Sequence, residues 1–469
     1  MFIKNKSIEI DDDDIFRNDT LNRKETIIDL SKFIISTTEP FVFSINGSWG
    51  TGKTTFVKLW EAYLREEYDT HCLYFSAWED DFSQEPLISI LGELNEYIQD
   101  NFEDNSEIKD KFEQAKKFGG KVFKRGVPAF LKGMTAGVLD FDKGVESSLG
   151  AISEETAKQL IEDYSKEKEI IEEFKERIND VLNLIDKEQP FIIFIDELDR
   201  CRPLYAIELL ERIKHIFGIE KLIFVLSIDK TQLSESIKSQ YGNIDTDNYL
   251  RRFIDLEYKL SNPKIDVFCD VLCKQFELER ILNEKGITIN LNHHFSFLSI
   301  MKKMVVAFDL SLRQVEQIFA KLNILFKIIK PRFYDTHLNI FIFLETLKSY
   351  NSNWYYEFIT TGKNKEKIKE ILLPKLTDED WYKDISVIIE TLVDVVLKNE
   401  TEYKKLIDEK NKELETIEDT RSSDYIKLQQ YINILSYSPD NWGDYTLNKQ
   451  IDTVIKKIEF LDKFNMENG

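Results

Sequence analysis

Short apolar runs alternate with longer stretches of helical periodicity through the N-terminal part of the chain. The runs at 41–45, 72–75, 191–195 and 222–227 are too short for helices and predict buried strands. A fifth strand is expected over 253–258. Three of the first four carry a polar or charged residue at their C-terminal edge, as the strands of a buried parallel sheet do where they deliver side chains to a site. Helical spacing predicts a lead-in helix over 21–36, a second over 54–66 and a long, charge-laced one over 154–188. More than a hundred residues separate the second strand from the third, more than one crossover needs, so this interval holds an insertion. Beyond about 262 the strand signals fade, and helical patterns recur at 265–282, 312–329, 341–348, 385–398, 401–418 and 453–464. The expected fold class is α/β, a parallel sheet with helices on both faces, followed by helices alone. The expected domains are an α/β core over 1–260 with a mostly helical insertion at 91–190, a helical lid over 261–331 and a helical C-terminal domain over 332–469. The last division is placed near Pro331 or Tyr350.

Charge changes this picture in one respect. The 63 basic and 85 acidic residues leave a formal net charge of -22, which argues against a protein that coats DNA through a general basic surface. With 42% hydrophobic residues among 469, the chain buries a sizeable core without staples. Cys72, Cys201, Cys269 and Cys273 are too few and too scattered for a disulfide framework, and lack the His spacing of a metal site. His71, His215, His293, His294 and His337 form no metal-ligand spacing either. The N-terminus lacks the apolar stretch of a signal peptide, and no window is long and apolar enough for a membrane span. A cytoplasmic location is expected.

The sharpest chemical feature is the run Gly47, Ser48, Trp49, Gly50, Thr51, Gly52, Lys53, Thr54, with Thr55 beyond it. It has P-loop spacing, follows an apolar strand and precedes a helix. Glycines at 47, 50 and 52 let successive backbone N–H groups converge on a phosphate. The helix N-terminus adds its partial positive charge. Lys53 would reach the β- and γ-phosphates, and the Thr54 hydroxyl would ligate Mg²⁺.

A second motif ends the third strand. Four or five apolar residues run into Asp196 and Glu197, which delivers carboxylates to the sheet edge beside the P-loop. Asp196 would hold Mg²⁺, and Glu197 would orient and polarise the attacking water. Catalysis would thus rest on Lys53, Asp196 and Glu197. Together the motifs point to NTP hydrolysis. No Asn/Thr-Lys-x-Asp sequence of the guanine-reading kind is present, so ATP is the expected nucleotide, with Mg²⁺ as its cofactor.

Four stretches carry a family resemblance: Asp19–Arg23, Gly47–Phe56 with its internal Trp49, Phe75–Trp78, and Asp196–Pro203. Over about 15–330 the chain resembles the KAP family of P-loop ATPases, a branch of the signal-transduction ATPases related to NACHT and AAA+ proteins. The family typically writes an Asp-Asp-Leu-Asp-Arg-Cys run after its Walker B strand. Here the second acid is Glu197, compatible with a catalytic base, and Ser76 stands where the family usually has Asn before Ala-Trp. Many members carry transmembrane helices between the Walker motifs. The corresponding region here, 118–150, includes the apolar stretch Val127–Leu139, which is too short for a span and is broken by Lys132, so the chain resembles the soluble branch.

The resemblance extends to secondary sites. It implies a sensor at Ser227 and Asp229, an arginine finger for a neighbouring subunit at Arg251 or Arg252, and a second sensor at Arg313. It also implies that Arg23 lies near the adenine. Each position has a plainer reading: Asp229 as the cap of the next helix, Arg251 and Arg252 as salt-bridge partners, Arg313 as a surface residue, and Arg23 as packing for the lead-in helix. Asp199 and Arg200 read as a helix-start carboxylate with a salt-bridged arginine. The stretch Lys111–Lys132, with Lys116, Lys117, Lys121, Lys124 and Arg125 among aromatic residues, is basic in an acidic chain. It would touch lipid head groups or nucleic-acid phosphate, or serve as a surface loop that docks on an acidic neighbour.

The resulting expectation is an ATPase whose ATP cycle drives a conformational or assembly switch, with a homo-oligomer and a partner protein implied. Soluble bacterial members of the family are associated with defence against phages and mobile elements. The alternatives are a nucleotide-stabilised scaffold without turnover, and an ATP-dependent nucleic-acid-handling protein that uses the basic insertion.

Overall fold

A computed structural model describes residues 10, 14–37, 39–83, 85–124, 154–186, 188–216, 218–285, 296–329, 335–378, 385–436 and 447–463. The chain divides into two compact units, Ser7–Asn262 and Pro263–Gly469.

Among its described residues the first unit holds five strands, β1 (Phe41–Asn46), β2 (Cys72–Ser76), β3 (Phe191–Asp196), β4 (Leu222–Ile228) and β5 (Leu256–Lys259). They form one parallel sheet in the order β2-β3-β4-β1-β5. Eight helices accompany them among the described residues: α1 (Lys24–Ile35), α2 (Lys53–Tyr68), α3 (Pro86–Asn101), α4 (Ser106–Lys124), α5 (Glu154–Ile185), α6 (Pro203–Ile216), α7 (Lys230–Tyr241) and α8 (Thr246–Leu250). Every residue of β3 and β4 is buried, which is why these segments read as continuous apolar runs rather than as alternation. The pleat then sorts them by parity. Ile192, Phe194, Ile223 and Val225 join Phe43, Phe56 and Trp60 in one core layer, while Phe191, Ile193, Ile195, Phe224 and Leu226 pack against α3, α5 and α6 in the other.

Trp60 anchors the first layer. It is fully buried, its Nε1 donates to Ser31 Oγ at 2.9 Å, and the rings of Phe43, Phe56 and Phe194 surround it with centroids at 6.1, 6.0 and 5.4 Å. Trp60→Ala will destabilise the protein by about 3–5 kcal/mol, because the emptied volume sits between a helix and a sheet that cannot collapse into it. The urea midpoint measures this, and a loss under about 1 kcal/mol would contradict it.

The described residues of the insertion between β2 and β3 are mostly helical, with α4 packed along α5. Lys111 pairs with Asp180 at 3.1 Å, and Lys116 donates to Asn95 Oδ1 at 2.9 Å and pairs with Glu113. The rest of the basic stretch, from residue 118 on, lies outside the described side chains. The interval 125–150, His293, His294 and Pro331 lie outside the described residues altogether.

The second unit is helical throughout its described residues, and helices from Ile265–Gln275 to Leu447–Leu461 share one hydrophobic cluster. The single helix expected over 265–282 is two, Ile265–Gln275 and Leu278–Glu284. Glu277 between them takes a left-handed conformation (φ 51°), which ends the first helix. Inside this unit Glu345 is fully buried and pairs with Lys321 at 2.7 Å.

Candidate phosphate and carboxylate site

Parallel strands present their C-terminal ends at one sheet edge, and here that edge collects the chemistry. β1 runs into Gly47–Gly52, β3 into Asp196 and Glu197, and β4 into Asp229. The register places Asp196 opposite Ser227, and Ser227 opposite Ile45. β4 therefore stands between the phosphate loop and the paired acids.

Gly50 and Gly52 adopt φ of 88° and 82°, values that strain any residue with a Cβ. A Cβ at Gly47 would stand 2.8 Å from Thr51 Oγ1. No side chain caps the start of α2, so its first N–H groups face the loop. The Lys53 ammonium folds back over the loop and donates to Gly47 O at 2.6 Å. Burial lowers its pKa, opposed by the negative charge of Asp199, Asp229 and Asp196. Thr54 and Thr55 lie in the first turn of α2, half-buried.

Asp196 is buried, and both of its oxygens are engaged: Oδ1 accepts from Glu197 N at 2.9 Å, Oδ2 from Tyr74 Oη at 3.1 Å. Tyr74 is consequently held as the neutral phenol, its pKa pushed up by burial and then by Asp196. Glu197 leaves the strand with φ 61°. Its Oε1 pairs with Arg200 Nη1 at 2.7 Å and its Oε2 accepts from Ser76 Oγ at 3.3 Å. Burial raises the Glu197 pKa, and Arg200 works against that rise.

Asp199 is buried and accepts from Trp49 Nε1 at 2.5 Å. Burial raises its pKa, and Lys53 and the indole N–H offset part of that. It lies in the first turn of the 3₁₀ helix Leu198–Arg200, as the helix-start reading expects, and it also ties that turn to the glycine-rich loop through Trp49. The salt-bridge reading of Arg200 holds, with Glu197 as partner. Asp229 does two things at once: Oδ1 accepts from Thr231 N and Gln232 N at 3.1 and 3.3 Å, capping α7, while Oδ2 accepts from Trp49 N at 3.2 Å. Asp229→Ala will cost about 1–2 kcal/mol through the lost cap, whereas Asp229→Asn, which still accepts, will keep most of that stability. Thermal unfolding of both variants separates the cap from any effect of charge on turnover. Ser227 Oγ is buried with no hydrogen-bond partner among the described residues.

Arg23 packs behind the loop. Its guanidinium donates to Thr51 O at 3.3 Å and Ser261 O at 2.8 Å, and Leu21 lies 3.0 Å from where a Gly52 Cβ would be. Arg251 and Arg252 are exposed just past α8. Arg313, half-buried, belongs to the helix Leu312–Ile328 of the second unit. Sequence reasoning missed Tyr74 and the Trp49–Asp199 link, because only the register of β2 on β3 and a contact across 150 positions reveal them. The four cysteines are free and buried. Among the described residues no cluster of His, Cys, Asp and Glu suits a metal held by protein ligands alone, and no helix is long and apolar enough to cross a membrane.

The model of the KAP family P-loop domain matches residues 23–329. The "Phage T7 exclusion protein" of Escherichia coli is 22% identical over 232 residues, 48% of this chain and 30% of that protein. This chain thus matches less than a third of that relative's length. Two Aeropyrum pernix structures are similar at low scores. The ORC2 protein, solved as ADPNP–ADP complexes, gives 11% identity, 94% and 95% coverage of this chain and that one, and a TM-score of 0.29. The ORC1 protein in complex with DNA gives 12%, 97%, 85% and 0.31.

Proposed function

We propose, from the fact that this chain belongs to the KAP family of P-loop domains, that it binds ATP with Mg²⁺ and hydrolyses it to drive a conformational or assembly switch. One observation carries the reading. Lys53, Asp196 and Glu197 come to one sheet edge, with Asp229 bonded directly to the phosphate loop between them.

Mg²⁺ is a hard cation that takes oxygen ligands and keeps several waters. The Thr54 hydroxyl and the Asp196 carboxylate suit it, and the engaged oxygens of Asp196 favour contact through water. Bound there, the ion would neutralise charge on the β- and γ-phosphates. Lys53 would leave Gly47 O for the phosphates as the loop amides and the α2 N-terminus take up the anion. Glu197 would orient a water toward the γ-phosphorus and receive its proton as the bond to the β-phosphate oxygen breaks, releasing ADP and phosphate.

The name of the Escherichia coli relative supports a role in excluding phage. The helical second unit would pass the nucleotide state to a partner protein or to further copies of this chain. Phosphate release that depends on both ATP and Mg²⁺, and is lost in Asp196→Asn, tests the chemistry. Retention of full activity in that variant would refute the metal assignment. For a finger in trans, mixing Arg251→Ala or Arg252→Ala subunits with Lys53→Ala subunits will restore some activity. A monomer without complementation defeats it.

A further inference from the structure

We propose that Arg200 is a positioning residue that restrains Glu197: its guanidinium holds the carboxylate docked away from the attacking water, and its release limits hydrolysis. This rests on Glu197 serving that water.

The geometry is local and specific. Glu197, in its left-handed conformation, opens the single 3₁₀ turn Leu198–Arg200. In such a turn residues three apart eclipse, which puts Arg200 over Glu197. Nη1 meets Oε1 at 2.7 Å, a charge-assisted bond, and Ser76 Oγ takes Oε2 at 3.3 Å. Both carboxylate oxygens are thus spoken for by groups of the resting protein, and a water must displace one of them.

The neighbouring arginine shows the contrast. Arg202 is fixed at several points, through N and Nε to the Asp81 carboxylate at 2.7 and 2.9 Å and through Nη2 to Asp81 O and to Ser83 O at 3.1 Å. Among the described residues Arg200 makes a single ion pair, and its side chain is one-third exposed, so it can swing at little cost. Its positive charge is also felt by Lys53, whose pKa it helps to lower. A polyphosphate arriving there would draw the guanidinium from Glu197, freeing the carboxylate when substrate is present. The turn itself is tied to the phosphate loop through Asp199 and Trp49, so loop and restraint move together.

The test uses the purified full chain and phosphate release at saturating Mg²⁺–ATP. Arg200→Ala should raise kcat about tenfold with KM for ATP changed less than about twofold, the signature of a step after binding. Arg200→Gln should do the same if the alanine variant folds poorly, and Arg200→Lys, which keeps a charge without the fork, should fall between. A merely structural role predicts lower kcat and a lower unfolding temperature. Unchanged or reduced kcat in folded Arg200→Ala and Arg200→Gln, beside Lys53-dependent turnover in the unsubstituted protein, overturns this inference and leaves hydrolysis standing. Absence of Lys53-dependent turnover in the unsubstituted protein and in the Arg200 variants overturns both.

Discussion

Lys53→Ala is expected to cut ATP turnover at least about 10²-fold and to weaken nucleotide binding with it. The ammonium is buried and faces Asp196, Asp199 and Asp229, three carboxylates gathered from two strand ends and one turn. Removing it takes away the group that would meet the β- and γ-phosphates. It also leaves an arriving polyanion to confront three acids without their shared cation. Lys53→Arg will not rescue the loss. Nζ sits 2.6 Å from Gly47 O, a place fitted to a compact ammonium rather than to the broad planar fork of arginine. Phosphate release and equilibrium ATP binding measure the two halves, with circular dichroism as a control for folding. Full activity in Lys53→Ala would remove the phosphate-loop assignment altogether.

Glu197→Gln is expected to separate the two halves instead. The amide oxygen still accepts from Arg200 or Ser76, and the side-chain volume is unchanged, so the fold and the phosphate loop should persist. A neutral amide cannot take the water's proton. Turnover should fall about 10²–10⁴-fold while ATP stays bound. Chromatography of nucleotide released from the variant after incubation with ATP and Mg²⁺ should recover ATP, where the unsubstituted protein yields ADP. Recovery of ADP at the normal rate would mean that another group serves the water. Asp199 is held by the Trp49 indole and is poorly placed for that work.

Much of the first unit was legible because its signals are short-range. β1 to β4 stand where four apolar runs predict them, and the strand expected over 253–258 shortens to Leu256–Lys259. It shortens because Tyr249–Phe253 fold into a helix end and turn whose aromatic side chains pack on the sheet. In the second unit the helix expected over 341–348 extends to Asp335–Tyr350, and the helix Phe297–Phe308 was not predicted at all. Ser299, Lys302, Lys303 and Val306 line its one accessible face at helical spacing, and apolar residues fill the rest of its circumference.

The sequence by itself determined which residues form the glycine-rich loop and which carboxylates end a buried strand. Those properties follow from glycine dihedrals, hydrophobic runs and residue type, all set within about ten positions. Tertiary structure decided the rest. β4 lies between β1 and β3, so Asp229 both caps its own helix and holds the backbone of Trp49 180 residues earlier. Asp199 reaches the same residue through the indole, Tyr74 steadies Asp196, and Arg200 covers Glu197. Parallel strands are joined by long crossovers, and their order leaves no local mark. Only packing both faces of the sheet fixes which strand ends become neighbours, and here that choice brings the loop and the acids to one edge.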